Sequence, residues 1–237
     1  MQEFLIGTGA ILIYFIIAAG SALTCRILIR IQDEIFRKIL HCILLGSLLI
    51  FIFCFDTWWI SALEAIGFAV VVYPILMFLE RYRSFSKLTT ERKRGELKSS
   101  LLLVFFMFAT IITICWGFLG DKYLVIASIY AWGFGDAAAA IIGKRFGKHK
   151  ISWKYTDGKK SVEGSTAMFI TSLISVAVIL GYRGGLNTAG YFVIPPIVAF
   201  TSAIAELYSK EGLDTVICPF AAMSVLLPLM YLFGGMI

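Results

Sequence analysis

"LLLVFFMFATIITICWGFL", residues 101–119, is nineteen residues long and contains no charged side chain. A helix crossing the hydrocarbon core of a bilayer needs about 20 mostly apolar residues, and this run supplies them, so the segment reads as a transmembrane helix. Working outward, seven more apolar runs bounded by polar or helix-breaking residues give spans at about 4–24, 39–55, 58–79, 99–119 (the quoted run), 123–143, 164–181, 189–207 and 215–233. The composition agrees. The chain is 59% hydrophobic and 15% charged, with a mean hydropathy of +0.88, more apolar surface than 237 residues could hide from water. The sequence therefore predicts an all-α, polytopic integral membrane bundle of about eight helices, read as one membrane-embedded domain over residues 1–237.

The charges set an orientation. Four Lys/Arg fall in 25–38, seven in 80–98, seven in 144–163 and one in 208–214, leaving only Lys122 and Arg183 on the other side. The positive-inside rule makes the basic face cytoplasmic and places both termini outside. The net charge of +6 is then explained by topology and by attraction to anionic lipid headgroups, with no need of a nucleic acid. Glu3, with no basic residues around it, marks the first run as a retained span, not a cleaved signal peptide. Five scattered cysteines without a CxxC pair or histidine-cysteine grouping argue against a disulfide framework or a zinc site.

Almost every unusual polar residue falls at the basic ends of the spans. Asp136, in "GDAAAAIIGKRFGK", lies inside span five, about two turns from an end expected at Gly143. An ionisable group at that depth costs about 2.5–3.5 kcal/mol on insertion scales and usually faces a cavity, a partner or an ion. Pairing with a lysine for packing is the alternative. The segment after it, "GKRFGKHKISWKYTDGKKSVEGS", holds seven basic residues and four glycines. Glycine lets backbone amides approach an anion, and lysines act as point charges for phosphate. The GxxxxGK[ST] pattern of a P-loop is absent, and snorkelling lysines would explain the charge equally well. Ser161 suits a helix N-cap. Glu163 beside a phosphate pocket makes sense if Mg²⁺ bridges the two, because Mg²⁺ takes one or two carboxylates plus substrate phosphates.

Three further clusters complete the set. Glu34, Arg37, Lys38 and His41 share one helical face by their spacing. Gly95 and Glu96 stand before span four. Glu206 ends span seven, and Asp214 and Thr215 open span eight, where Asp214 reads equally as a helix cap. Glu64 is the one acid in a span away from this pattern.

Together, "RKILH" at 37–41, "GE" at 95–96, "GDAAAAIIGKRFGK" at 135–148, "GKKSVEGS" at 158–165, Glu206 and "GLDTVICP" at 212–219 resemble the dolichol and phytol kinase family, whose members use CTP or a related pyrimidine nucleotide to phosphorylate isoprenoid alcohols. A CTP-dependent diacylglycerol kinase is related. The resemblance covers most of the chain, with one departure: Thr215 stands where members often carry asparagine. It implies transfer of a phosphoryl group from CTP, with Mg²⁺, to a lipid alcohol at the cytoplasmic face. Asp136, Arg37 and His41 would be catalytic. Gly143, Lys144, Gly147, Lys148, Lys159, Lys160 and Ser161 would hold phosphates. Asp136, Glu163, Glu96 and Asp214 would hold the metal, leaving Asp136 as base or ligand. Phosphatidate cytidylyltransferase is the runner-up, although its C-terminal pattern is not found. A small ion-coupled transporter is the third reading, opposed by the lack of a polar path across the bilayer.

Overall fold

The computed structural model describes residues 2–29, 31–81, 95–152, 158, 160–209 and 212–235. Among them every regular element is helical, as a bilayer requires of a chain that must satisfy its own backbone groups. Eight helices are long and apolar enough to cross a membrane: α1 (Gln2–Leu28), α2 (Asp33–Phe53), α3 (Trp58–Leu79), α4 (Glu96–Ile111, its span running on to Phe118), α5 (Lys122–Phe146), α6 (Val162–Arg183), α7 (Thr188–Tyr208) and α8 (Asp214–Leu232). The protein is an integral membrane protein. The eight expected spans are all present, with their ends displaced. Span four is not uniform, because its last turns, Ile112–Phe118, are π-helical.

The helices gather into two compact units, Met1–Gly120 and Asp121–Ile237. In the first, aromatic rings fill the core, with Phe51 edge-on to Phe105 at 5.8 Å and Phe105 to Phe108 at 5.7 Å. Glu3 accepts hydrogen bonds from the Asp56 and Thr57 amides, both at 2.8 Å. An acid at the start of α1 thus satisfies donors that the start of α3 leaves open.

In the second unit α5 packs on α6, α6 on α7, α7 on α8, and α8 returns to α5, closing a four-helix bundle. The α5–α6 seam is close because small residues face each other. A Cβ on Gly164 would stand 3.0 Å from the Ala139 carbonyl oxygen and 3.3 Å from the Gly143 Cα, so the backbones approach as small-residue stripes allow. Deeper in the seam the Ser172 hydroxyl donates to the Ala131 carbonyl. At the far end, Asp121 caps α5 through the amides of Tyr123 and Leu124 and pairs with Arg183 at 2.5 Å. The two basic residues expected on that side thus include one whose role is to clasp α5 to the end of α6.

Candidate active site

The bundle order of the second unit puts the end of α5, the start of α6, the end of α7 and the start of α8 at one pole. The charged residues collect there. α5 runs on to Phe146, three residues past the expected end, because Lys144 and Arg145 suit a helix C-terminus, where cations meet the negative end of the dipole. Asp136 therefore lies ten residues, or about 15 Å, from the helix end at Phe146, not the two turns expected from Gly143.

The same extension corrects the glycine loop. Gly143 and Lys144 are helical, and the Gly147 amide is already spent on the Gly143 carbonyl at 3.1 Å. A helix C-terminus presents carbonyls, not amides, so this stretch is not an amide cradle for phosphate. Gly147 has another task. A Cβ there would overlap the Gly143 oxygen at 2.1 Å and the Ser161 Oγ at 2.6 Å, so glycine lets the chain turn tightly against the start of α6. Ser161 is buried and caps α6, accepting from the Gly164 amide at 3.2 Å, the cap its position suggested.

After Gly147 the chain doubles back on itself. Ile151 donates to Lys160 at 2.9 Å and Val162 to His149 at 3.0 Å, flanking a bridge between Lys150 and Ser161. Glu163 clamps this pinch. Its carboxylate meets the His149 Nδ1 at 2.8 Å and accepts from the amides of Lys148 and His149 at 3.2 Å. Lys144 and Lys148 are exposed at this pole. Lys159 lies outside the described residues.

The pinch delivers Lys160 inward. Its ammonium pairs with the Glu206 carboxylate at 3.1 Å, donates to the Ser209 carbonyl at 3.2 Å and also donates to the Glu206 carbonyl. Both side chains are largely shielded, at 16% and 13% exposure. The charges of Asp136 and Asp214 reach the Glu206 carboxylate, and all three acids and Lys160 act on the buried Cys218 thiol. Asp214 is the first residue of α8, close enough for its charge to act on Glu206 and Cys218. Glu206 is the residue whose role sequence reasoning missed. Its signal was the same as that of Asp136, an acid inside an apolar span near the basic pole, but its partner lies 46 positions away.

Glu206 pairs with Lys160 while the charges of Asp136 and Asp214 also reach it, a surplus of negative charge that favours a cation. Among the described residues no three His, Cys, Asp or Glu are grouped so as to hold a metal by themselves. The donor set fits a hard ion held by one or two carboxylates and completed by oxygens of a bound ligand.

The first unit has its own polar end. Arg37 reaches Glu34 at 3.3 Å and Glu96 at 3.6 Å, joining the starts of α2 and α4. Lys98 pairs with the buried Glu80 at 2.7 Å. His41 lies one turn beyond Arg37 on α2. Arg37, expected as catalytic, and Glu96, expected as a metal ligand, are thus partners of each other.

A phytol kinase of Synechocystis sp. is 30% identical to this chain over 233 residues, 90% of the chain and 88% of that protein. A probable chloroplastic phytol kinase of Triticum aestivum is 31% identical over 234 residues, 90% of the chain and 72% of that protein. The chain belongs to the phytol kinase family. Because the alignment spans nine tenths of the chain, phytol kinase likeness extends over both compact units. No family model matches the chain, and no solved structure does.

Proposed function

We propose that the chain is a kinase of membrane lipid alcohols that takes its phosphoryl group from CTP, with Mg²⁺, at the cytoplasmic face. Its membership in the phytol kinase family supports a phosphotransferase acting on such an alcohol. The observation that carries the residue roles is the charged cluster joining Asp136 to Lys160, Glu206 and Asp214. The basic pole of the second unit supports the cytoplasmic placement through the positive-inside rule.

Depth divides the labour. Lys144 and Lys148, exposed at the water side, attract and seat the triphosphate, and Lys160 balances the acids beneath it. Asp214, at the first turn of α8, and Glu206, two residues before the end of α7, would hold the metal. When bound, Mg²⁺ neutralises charge on the β- and γ-phosphate oxygens. Asp136, deeper in the bundle, meets a hydroxyl whose chain remains in lipid. The alcohol oxygen attacks the γ-phosphorus, the bond from that phosphorus to the β,γ-bridging oxygen breaks, CDP leaves, and the hydroxyl proton passes to Asp136. Glu163 shapes the pinch that presents Lys160.

The test uses the purified full chain in nanodiscs with Mg²⁺, CTP labelled at the γ-phosphate, and phytol, dolichol or diacylglycerol in turn. Label in the lipid fraction is the expected result. Pyrophosphate release with cytidine retained on phosphatidate would make the chain a cytidylyltransferase, and no transfer to any alcohol would overturn the reading.

A further inference from the structure

Hydroxyls in transmembrane helices usually hydrogen-bond back to the carbonyl one turn earlier, and many in this chain do. Thr201 donates to Ile197, Ser128 to Leu124, Thr166 to Val162 and Ser175 to Thr171. Ser202, next to Thr201, does not. It is fully buried, and its Oγ has no hydrogen-bond partner among the described residues. Such a group carries a desolvation cost with nothing to offset it, which asks for an explanation in terms of something that binds there.

Its position supplies one. Ser202 and Glu206 are four residues apart on α7, so they share a face, and the Glu206 side of that face is the charged cluster. The register of the seam fixes the depth. Gly164 packs on Ala139, Gly135 on Met168, and Ser172 on Ala131, so Asp136 stands level with Ala167 and Met168. That is five to six residues into α6, while Ser202 is six residues from the end of α7. The orphaned hydroxyl therefore sits at the depth of Asp136, below the Lys160–Glu206 pair. Ser165, a second hydroxyl without a partner among the described residues, is only three residues into α6, nearer the phosphate side.

We propose that Ser202 binds the alcohol group of the lipid substrate: its hydroxyl donates to the substrate oxygen and holds it level with Asp136. This rests on the lipid-alcohol reading above. It adds a residue that selects an alcohol against a hydrocarbon of the same chain. The donated hydrogen bond uses one oxygen lone pair, leaving the other to attack phosphorus and the proton to face Asp136.

The test is binding without nucleotide, read as ligand-dependent thermal stabilisation of the full chain in nanodiscs. The wild type should prefer phytol to phyt-2-ene, the hydrocarbon lacking the hydroxyl, by about tenfold, the scale of one well-made hydrogen bond. Ser202→Ala should lose most of that preference, keeping only what Asp136 contributes, while its unliganded melting temperature stays at or above that of the wild type, because an unpartnered hydroxyl has been removed. An undiminished preference in Ser202→Ala, the lack of any preference in the wild type, or a lowered unliganded melting temperature would overturn the proposal. Should the alanine variant not fold, Ser202→Cys keeps the volume with a weaker donor and carries the same test. If the wild type alone distinguishes phytol from the hydrocarbon but no alcohol accepts label from CTP, the kinase reading fails and the Ser202 site stands.

Discussion

Asp136 and Lys160 are the two residues on which the cluster turns, and each makes a different prediction. Asp136→Asn keeps the shape and removes the proton acceptor. General-base catalysis contributes about 10²–10⁴-fold, so label transfer should fall by at least about a hundredfold while the melting temperature is kept. Transfer within about threefold of wild type would remove Asp136 from the chemistry. Lys160 has a structural debt as well, because it neutralises a shielded Glu206 at 3.1 Å. Breaking such a pair from one side strands a charge, at about 3 kcal/mol. Lys160→Met should therefore destabilise the protein more than Lys160→Met combined with Glu206→Gln, with a coupling of about 1–3 kcal/mol in a double-mutant cycle of thermal unfolding. Additive losses would show that the two groups do not interact. Asp136 was legible in the sequence because a lone acid in an apolar run has few uses. The Lys160–Glu206 pair was not, since nothing local in "GKKSVEG" or "AELYSK" points from one to the other.

At the level of elements, the spans were legible because lipid imposes a length and a polarity that a one-dimensional reading can count. Their ends were not. Lys144 and Arg145 looked like loop and are helix, because cations stabilise a helix C-terminus as readily as they solvate a turn. The start of α2 was legible, because Glu34, Arg37 and Lys38 read as one helical face and the acids Asp33 and Glu34 occupy its first turn. The π-helical end of the fourth span, Ile112–Phe118, left no trace in its apolar residues. Gly147 was read as a phosphate contact and is a packing device. Gly147→Ala must push a Cβ against a backbone oxygen at 2.1 Å, and overpacking of this kind costs about 1–3 kcal/mol. Gly181, in α6, has nothing within 4 Å of where a Cβ would go, and Gly181→Ala should be neutral or stabilising by up to about 1 kcal/mol. Melting temperatures of the two variants test the contrast, and equal values would show that the α5–α6 turn does not depend on the glycine.

For the whole molecule, the remaining question is which side of the bilayer the basic pole of the second unit faces. The argument is electrostatic. The loop between α5 and α6 carries Lys148, Lys150, Lys154, Lys159 and Lys160, and carrying such a loop across the membrane during insertion is disfavoured, whereas the short loop between α6 and α7, Gly184 to Asn187, has no charge to oppose translocation. A CTP-dependent reaction needs the same orientation, because the nucleotide is cytosolic, so topology and chemistry can be tested together. In a variant lacking the five native cysteines, Ser152→Cys and Thr188→Cys place single thiols at exposed positions on opposite ends of α6. A membrane-impermeant maleimide added to intact cells should label Thr188→Cys at once and Ser152→Cys only after permeabilisation. The reverse pattern would put Asp136, Lys160, Glu206 and Asp214 outside. The cluster would then face a compartment without CTP, and the phosphoryl donor would have to be sought elsewhere even if Asp136 proved indispensable.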